Sequence, residues 1–133
     1  MYTTHFKGLL GELEFTLHLI KCGYTILKPI NNNSSYDLVI EKNNSFLRVQ
    51  IKFCTPNNGR LRVELRRPKR KTKNYKDREV DAMGVYDALN KKFYLIPITE
   101  INTKSEVWIR VSDPRNYQKK RINQASKYEV VVE

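Results

Sequence analysis

Cysteine and histidine are nearly absent from this chain, and so are long apolar runs. Two cysteines, Cys22 and Cys54, cannot make a disulfide framework and read as buried thiols in a reducing compartment. With His5 and His18 the only histidines, a Cys/His zinc site is all but excluded. No stretch approaches the roughly 18 consecutive apolar residues of a membrane span, so no membrane partner is expected. The opening MYTTHFKGLL lacks a basic region followed by an apolar run, which points to a cytosol-like location. Acidic residues are scarce too: 14 Asp and Glu face 25 Lys and Arg, a net charge of +11. What is present, 133 residues with 40% hydrophobic and 11% aromatic, is enough to bury one core. A single domain over residues 1–133 is expected, with no repeat, low-complexity tract or linker.

The positive surplus points to a polyanion, because neutralising phosphates releases counterions. It is also local. Residues 60–78 carry ten Lys or Arg against Glu64 and Asp77, a surplus of +8. Candidate DNA-contacting residues there are Arg60, Arg62, Arg66, Arg67, Lys69 and Arg70, continuing through Lys71, Lys73, Lys76 and Arg78. A second basic stretch holds Lys119, Lys120 and Arg121, with Tyr117 and Tyr128 nearby for sugar or base contacts. A lone basic run is usually a solvated face, but two runs with this net charge favour nucleic acid.

Periodicity predicts a helix over 4–22, with Thr4 as N-cap and Gly23 at the C-terminal cap. Phe6, Leu10, Leu13, Leu17 and Ile20 form the stripe expected to pack on a sheet. Phe15 and Leu19 lie on roughly the opposite side, where another subunit is a candidate cover. Strand patterns follow at 24–28, 37–41, 46–53, 61–65, 80–87, 93–98, 107–111 and 128–132, separated by Asn, Ser, Gly and Pro clusters. Ser112-Asp113-Pro114 caps a short second helix or opens an irregular basic loop. Trp108 reads as core, and Asp81 as a structural hydrogen-bond acceptor more than a site residue.

Residues 36–53 read as a hairpin turning at 42–45. Opposed positions then sum to 87, placing Asp37 across from Gln50, with Lys52 on the same face. Leu38, Ile40, Leu47, Val49, Ile51 and Phe53 occupy the other face. Because all six are apolar, any register that keeps them together also clusters Asp37, Gln50 and Lys52. An ordinary amphipathic hairpin produces the same pattern, so this clustering alone does not make a catalyst.

Asp37, twelve residues, then Gln50-Ile51-Lys52, preceded by a helix with Gly11-Glu12, resembles the PD-(D/E)XK nuclease superfamily. Stretches such as GELEFTLHLIKCGYTILKPINNNSSYDLVI, FLRVQIKF, VDAMGVYD, YLIPI and PRNYQKKRINQASKYEV resemble a bacterial branch of it, the cyanobacterial homing endonucleases encoded within group I introns. The bare spacing is weak; the ordered set of Glu helix, Asp strand, QxK strand and basic insertion is more specific. The resemblance implies an α/β restriction-endonuclease-like fold, with a mixed β-sheet core, a long N-terminal helix and a basic β-ribbon insertion. It also implies a location in the bacterial cytoplasm.

Carried over residue by residue, the resemblance implies Asp37 as the central metal-binding carboxylate and Glu12 as a second acid. The Ile51 backbone carbonyl adds a ligand, and Lys52 orients the attacking water. Only the resemblance selects Glu12 over Glu14. Gln50 departs from the Glu or Asp usual there, which leaves one or two metals per site open. Phosphodiester hydrolysis suits Mg²⁺ held by hard oxygen ligands, with Mn²⁺ as substitute and Ca²⁺ supporting binding without cleavage. The expected function is a metal-dependent, site-specific endonuclease acting on double-stranded DNA. Cutting both strands needs two active sites, hence a homo-oligomer, dimer or tetramer. A restriction or repair nuclease of the same superfamily, and a noncatalytic DNA- or RNA-binding protein with a decayed nuclease fold, are the alternatives.

Overall fold

The computed structural model describes residues 2–31, 34–65, 80–101, 105–112 and 124–132. Helix α1 spans Thr4–Lys21. Seven strands follow among the described residues: β1 Thr25–Leu27, β2 Leu38–Lys42, β3 Ser45–Cys54, β4 Arg60–Glu64, β5 Ala82–Asp87, β6 Lys92–Pro97 and β7 Glu106–Arg110. Five of them form a sheet in the order β1-β2-β3-β5-β6, and β4 pairs with β7 in a separate ribbon. The β3–β5 pairing is parallel and the others are antiparallel, so the sheet is mixed as expected.

The hairpin register is the expected one: Leu38 faces Val49, Ile40 faces Leu47 and Glu41 faces Phe46. Asn43 and Asn44, at φ 54° and 63°, make the two-residue type I′ turn that sets it. Two expectations shift by small steps. The N-cap is Thr3, not Thr4: its Oγ1 accepts the Phe6 N–H at 3.1 Å, the three-residue reach a cap needs, while Thr4 is already helical. Gly23, at φ 91°, closes the other end, where Gly23 N–H reaches Ile20 O and Tyr24 N–H reaches Leu19 O. The strand expected at 128–132 is a 3-10 turn over Ala125–Tyr128 followed by one isolated bridge, Tyr94 to Glu129. That turn drives Tyr128 into the core, its hydroxyl on Glu100 Oε1 at 3.2 Å, and uses backbone that a strand would need.

The larger correction concerns α1. The residues it buries on the sheet are Gly11, Phe15 and Leu19, and the stripe expected inside is outside: Phe6, Leu13, Leu17 and Ile20 are exposed. Backbone approach decides this. Gly11 sits so close to β3 that a Cβ there would lie 3.2 Å from the Phe53 Cβ. Gly84 leaves a matching hollow in β5, filled by Phe15, whose Cζ would stand 3.2 Å from a Cβ at that position. Two glycines let the narrower side of the helix come nearer, burying Phe15 and Leu19 fully, each worth about 2–3 kcal/mol.

Two cores result, one on each face of the sheet. Phe15, Leu19, Leu38, Ile40, Val49 and Ile51 pack under α1. Met83, Val85, Tyr94 and Ile96 face the inner side of the β4–β7 ribbon, Leu61, Val63 and Ile109. The ribbon therefore pairs residues on either side of the basic insertion, while residues 66–79, with most of that insertion, lie outside the described residues. So do 113–123, where the second helix or basic loop was expected.

Candidate active site

Asp37 stands where β2 begins and the hairpin ladder breaks. Its N–H donates to Val49 O at 2.9 Å, one residue out of the register that holds from Leu38 on. Its Oδ2 then accepts the Ile51 N–H at 2.7 Å and the Gln50 Nε2–H at 3.1 Å. A side chain thus meets β3 where a main-chain carbonyl would continue the pairing, and β3 runs on past the end of β2. In an extended strand the N–H and C=O of one residue leave on the same edge, so the Ile51 carbonyl faces the Asp37 side as well.

Helix α1 supplies the opposite wall. Thr4, His5, Gly8, Leu9 and Glu12 line an open cleft of about 350 Å³ with Asp37, Gln50 and Ile51. Positions 5, 8, 9 and 12 recur at helical spacing, so one flank faces the cleft. Glu12 Oε1 pairs with Lys28 Nζ at 3.0 Å, just beyond β1. Glu14, the competing acid, does not line the cleft; its charge helps raise the Tyr86 pKa, after burial as the larger cause. Sequence reading placed none of Thr4, His5, Gly8 and Leu9 in the site. The 5-8-9-12 spacing was the available signal once Glu12 was chosen.

Lys52 lies outside the lining, one strand repeat beyond Gln50 on the same face. Cys54 follows on that face: burial pushes its thiol up to about 11, opposed in part by the Lys52 charge and reinforced by Asp87. Asp81 is a clamp and not a cleft residue. It takes Arg48 Nε and Nη2 at 2.9 Å each and the Arg48 N–H at 2.8 Å, and these bonds hold its carboxyl below the usual range.

The donor set suits a hard divalent cation. Asp37, Glu12, Gln50 and Ile51 line the cleft together, and each can offer an oxygen: two carboxylates, one side-chain amide and one main-chain carbonyl. Among the described residues no three His, Cys, Asp or Glu side chains form a metal-holding group.

Of the basic residues singled out in the sequence, Arg60 and Arg62 are on the outer face of β4. Arg60 stacks over the Trp108 ring at 4.6 Å, and Arg62 pairs with Glu106. Trp108 corrects the expectation of a core residue: it is 38% exposed, because odd positions of β7 point inward and it occupies an even one. Arg66, Arg67, Lys69, Arg70, Lys71, Lys73, Lys76, Lys119, Lys120 and Arg121 lie outside the described residues. Among the described residues no helix is long and apolar enough to cross a membrane.

Comparison with known proteins agrees with this geometry. The structure is similar to that of a bacterial homing endonuclease, I-Ssp6803I, with a TM-score of 0.72 and 26% identity, over 97% of this chain and 88% of that one. A 55-residue stretch is 34% identical to protein 5.3 of Escherichia phage T7, covering 41% of this chain; the chain spans about half, 47%, of that curated relative. Residues 2–131 match the family described as PD-(D/E)XK endonuclease, nearly the whole length. The match spans the N-terminal helix with Glu12, Asp37 at the broken hairpin and Gln50-Ile51-Lys52 along a central strand, and the chain belongs to the PD-(D/E)XK endonuclease family.

Proposed function

We propose that this protein is a divalent-metal-dependent endonuclease that hydrolyses both strands of DNA at a specific site, of the homing type. It is read as one nuclease domain over residues 1–133, working as a homo-oligomer in the bacterial cytoplasm. The observation that carries the reading is the cleft that Glu12 and Asp37 line together beside the broken end of β2. Likeness to a homing endonuclease favours homing over a restriction or repair role.

Asp37, Glu12, the Gln50 amide oxygen and the Ile51 carbonyl would hold Mg²⁺ or Mn²⁺. When bound, the cation supplies charge neutralisation at the phosphate and lowers the pKa of water. The remaining work falls to the chain. The Ile51 and Gln50 hydrogen bonds hold the Asp37 carboxylate in one orientation, so little reorganisation is needed at reaction. Lys52 places a positive charge on the face shared with Gln50 and orients the attacking water. Water adds at phosphorus, one P–O bond breaks, and the departing oxygen takes up a proton. Arg60, Arg62 and the basic 66–78 and 119–121 stretches meet phosphates and fix register on the duplex.

One observation favours a second reading. Gln50 donates its amide to Asp37 where a carboxylate ligand is usual, as in a decayed nuclease that only binds nucleic acid. Incubating a pooled genomic DNA library with the purified protein, in Mg²⁺ and in EDTA, separates the two. Discrete Mg²⁺-dependent ends that disappear in Asp37→Asn and Lys52→Ala, with DNA affinity retained in both, are expected. Tight, salt-sensitive binding without cleavage in any metal would leave the noncatalytic module.

A further inference from the structure

Helix α1 is apolar on both sides, and the sheet uses one of them. On the side away from the sheet, Tyr2, Phe6, Leu9, Leu13, Leu17 and Ile20 are each 48% to 54% exposed. Tyr2 and Phe6 are stacked with ring centroids 4.9 Å apart, extending the patch beyond the helix start. Scattered exposed leucines need no explanation, but a continuous stripe along an 18-residue helix does.

The stripe is symmetric about its own centre. Phe6 and Ile20 lie seven residues either side of Leu13, and Leu9 and Leu17 lie four either side. Laid against a second copy running the opposite way, Phe6 meets Ile20, Leu9 meets Leu17, and Leu13 meets itself on the dyad. A two-fold interface requires this self-complementarity, and a surface for an unrelated partner does not. Six side chains, each about half exposed, offer on the order of 500 Å² per copy, approaching the roughly 800 Å² a side of a standard interface before flanking residues are included.

Orientation supplies the second argument. An antiparallel helix pair is related by a dyad perpendicular to the plane of the two axes, and that dyad keeps every feature on its own side of the plane. Glu12 is one residue from Leu13 along α1 and about 100° around it, so its cleft opens to one flank of the stripe. Both clefts of the pair therefore open to the same side and flank the dyad, as two sites acting on one duplex must.

We infer that the exposed face of α1 is a homodimer interface, two copies packing antiparallel about a two-fold axis through Leu13, with both Glu12–Asp37 clefts on one face. The use assigned to this dimer rests on the nuclease reading; its geometry does not, and the experiment needs neither DNA nor metal.

Sedimentation velocity of the full chain across a concentration series is the test, with circular dichroism as the folding control. Wild-type protein is expected to sediment as a dimer or a multiple of it. Leu13→Glu and, separately, Leu17→Glu should keep their helix signal and weaken the dimer by about 100-fold or more, since each position enters the interface twice. Should either acidic variant fail to fold, Leu13→Cys in a Cys22→Ser background reads the same contact: mild oxidation should cross-link it into a covalent dimer, whereas Thr99→Cys should not. A wild-type monomer at every concentration, bare or carrying a different protein on this face, overturns the inference. A dimer unaffected by both acidic substitutions, with no cross-link at Leu13, also overturns it. A dimer that meets these expectations but cleaves no DNA leaves the interface standing and removes the nuclease reading alone.

Discussion

The Asp37 carboxylate is tied to the Ile51 main chain: Oδ2 accepts the Ile51 N–H at 2.7 Å, and the same oxygen takes the Gln50 amide at 3.1 Å. A carboxylate in this position does two things. It satisfies β3 where β2 has left the sheet, and it belongs to a residue that lines the cleft with Glu12. Structure and the proposed chemistry therefore share one side chain. That is why Asp37→Asn, which keeps an acceptor of the same shape, is a cleaner probe of cleavage than Asp37→Ala.

Gln50→Glu should destabilise the protein in EDTA at pH 7 by about 1–3 kcal/mol, because it replaces a donor with a second negative charge at hydrogen-bond distance from Asp37. Mutual repulsion raises the pair's folded pKa values above their unfolded ones. The deficit is thus full at neutral pH and fades as pH falls through the carboxylate range. Urea melts at pH 7 and pH 4, with and without Mg²⁺, check it. A deficit indifferent to both pH and Mg²⁺ would mean the two side chains do not share a site.

Gly84→Ala and Gly8→Ala should move stability in opposite directions. A Cβ at Gly84 meets Val49 Cγ1, Phe15 Cζ and Ile51 Cγ1 at 3.1 to 3.3 Å, three core atoms with little room to yield. A loss of about 1–3 kcal/mol is expected there. At Gly8 nothing lies within 4 Å, so a gain of about 0.5–1 kcal/mol is expected from helix propensity. Equal effects in thermal melts would contradict the packing of α1 on β5.

Asp81→Asn should cost about 1 kcal/mol at pH 7, toward the low end for a charged hydrogen-bonded pair, since Arg48 and Asp81 both keep about a third of their side-chain surface in water. The folded carboxyl is held below its ordinary value, chiefly by the Arg48 side chain. Its contribution is present above the unfolded pKa of about 4 and is lost as pH falls through the lower folded value. The wild-type advantage over Asp81→Asn should shrink below that range in chemical melts, and an advantage independent of pH would remove the ion pair as its cause.

Thiol labelling at pH 8 should distinguish the two cysteines. Cys22, half-buried at the helix C-cap, should react readily, while Cys54, buried and raised to about 11, should react only as the protein unfolds. Mass spectrometry of quenched samples reads the two sites separately. Comparable rates for both in native protein would place Cys54 at the surface.

Local chemistry made much of this molecule legible in advance. The hairpin register followed from six alternating apolar residues and an Asn-Asn turn, because a one-residue slip would have turned every one of them outward. Strands β1 to β7 lie within two residues of where alternation put them. The Asp37–Gln50 neighbourhood came from the same parity, and its assignment to a nuclease came from ordered motifs rather than from spacing.

What alternation could not settle was any choice between two apolar surfaces. Helix α1 offers two, and counting side chains favours the stripe around Leu13, which is the larger. The sheet took the other, since only Gly11 on the helix and Gly84 across from it permit the close approach that buries Phe15 and Leu19. Those glycines are more than 70 residues apart, and no local pattern pairs them. Trp108 is exposed for a related reason: the inward face of β7 is set by its pairing with β4, which puts Trp108 opposite the outward Arg62. Periodicity identifies which residues share a face, and it is long-range contact that decides which face is inside.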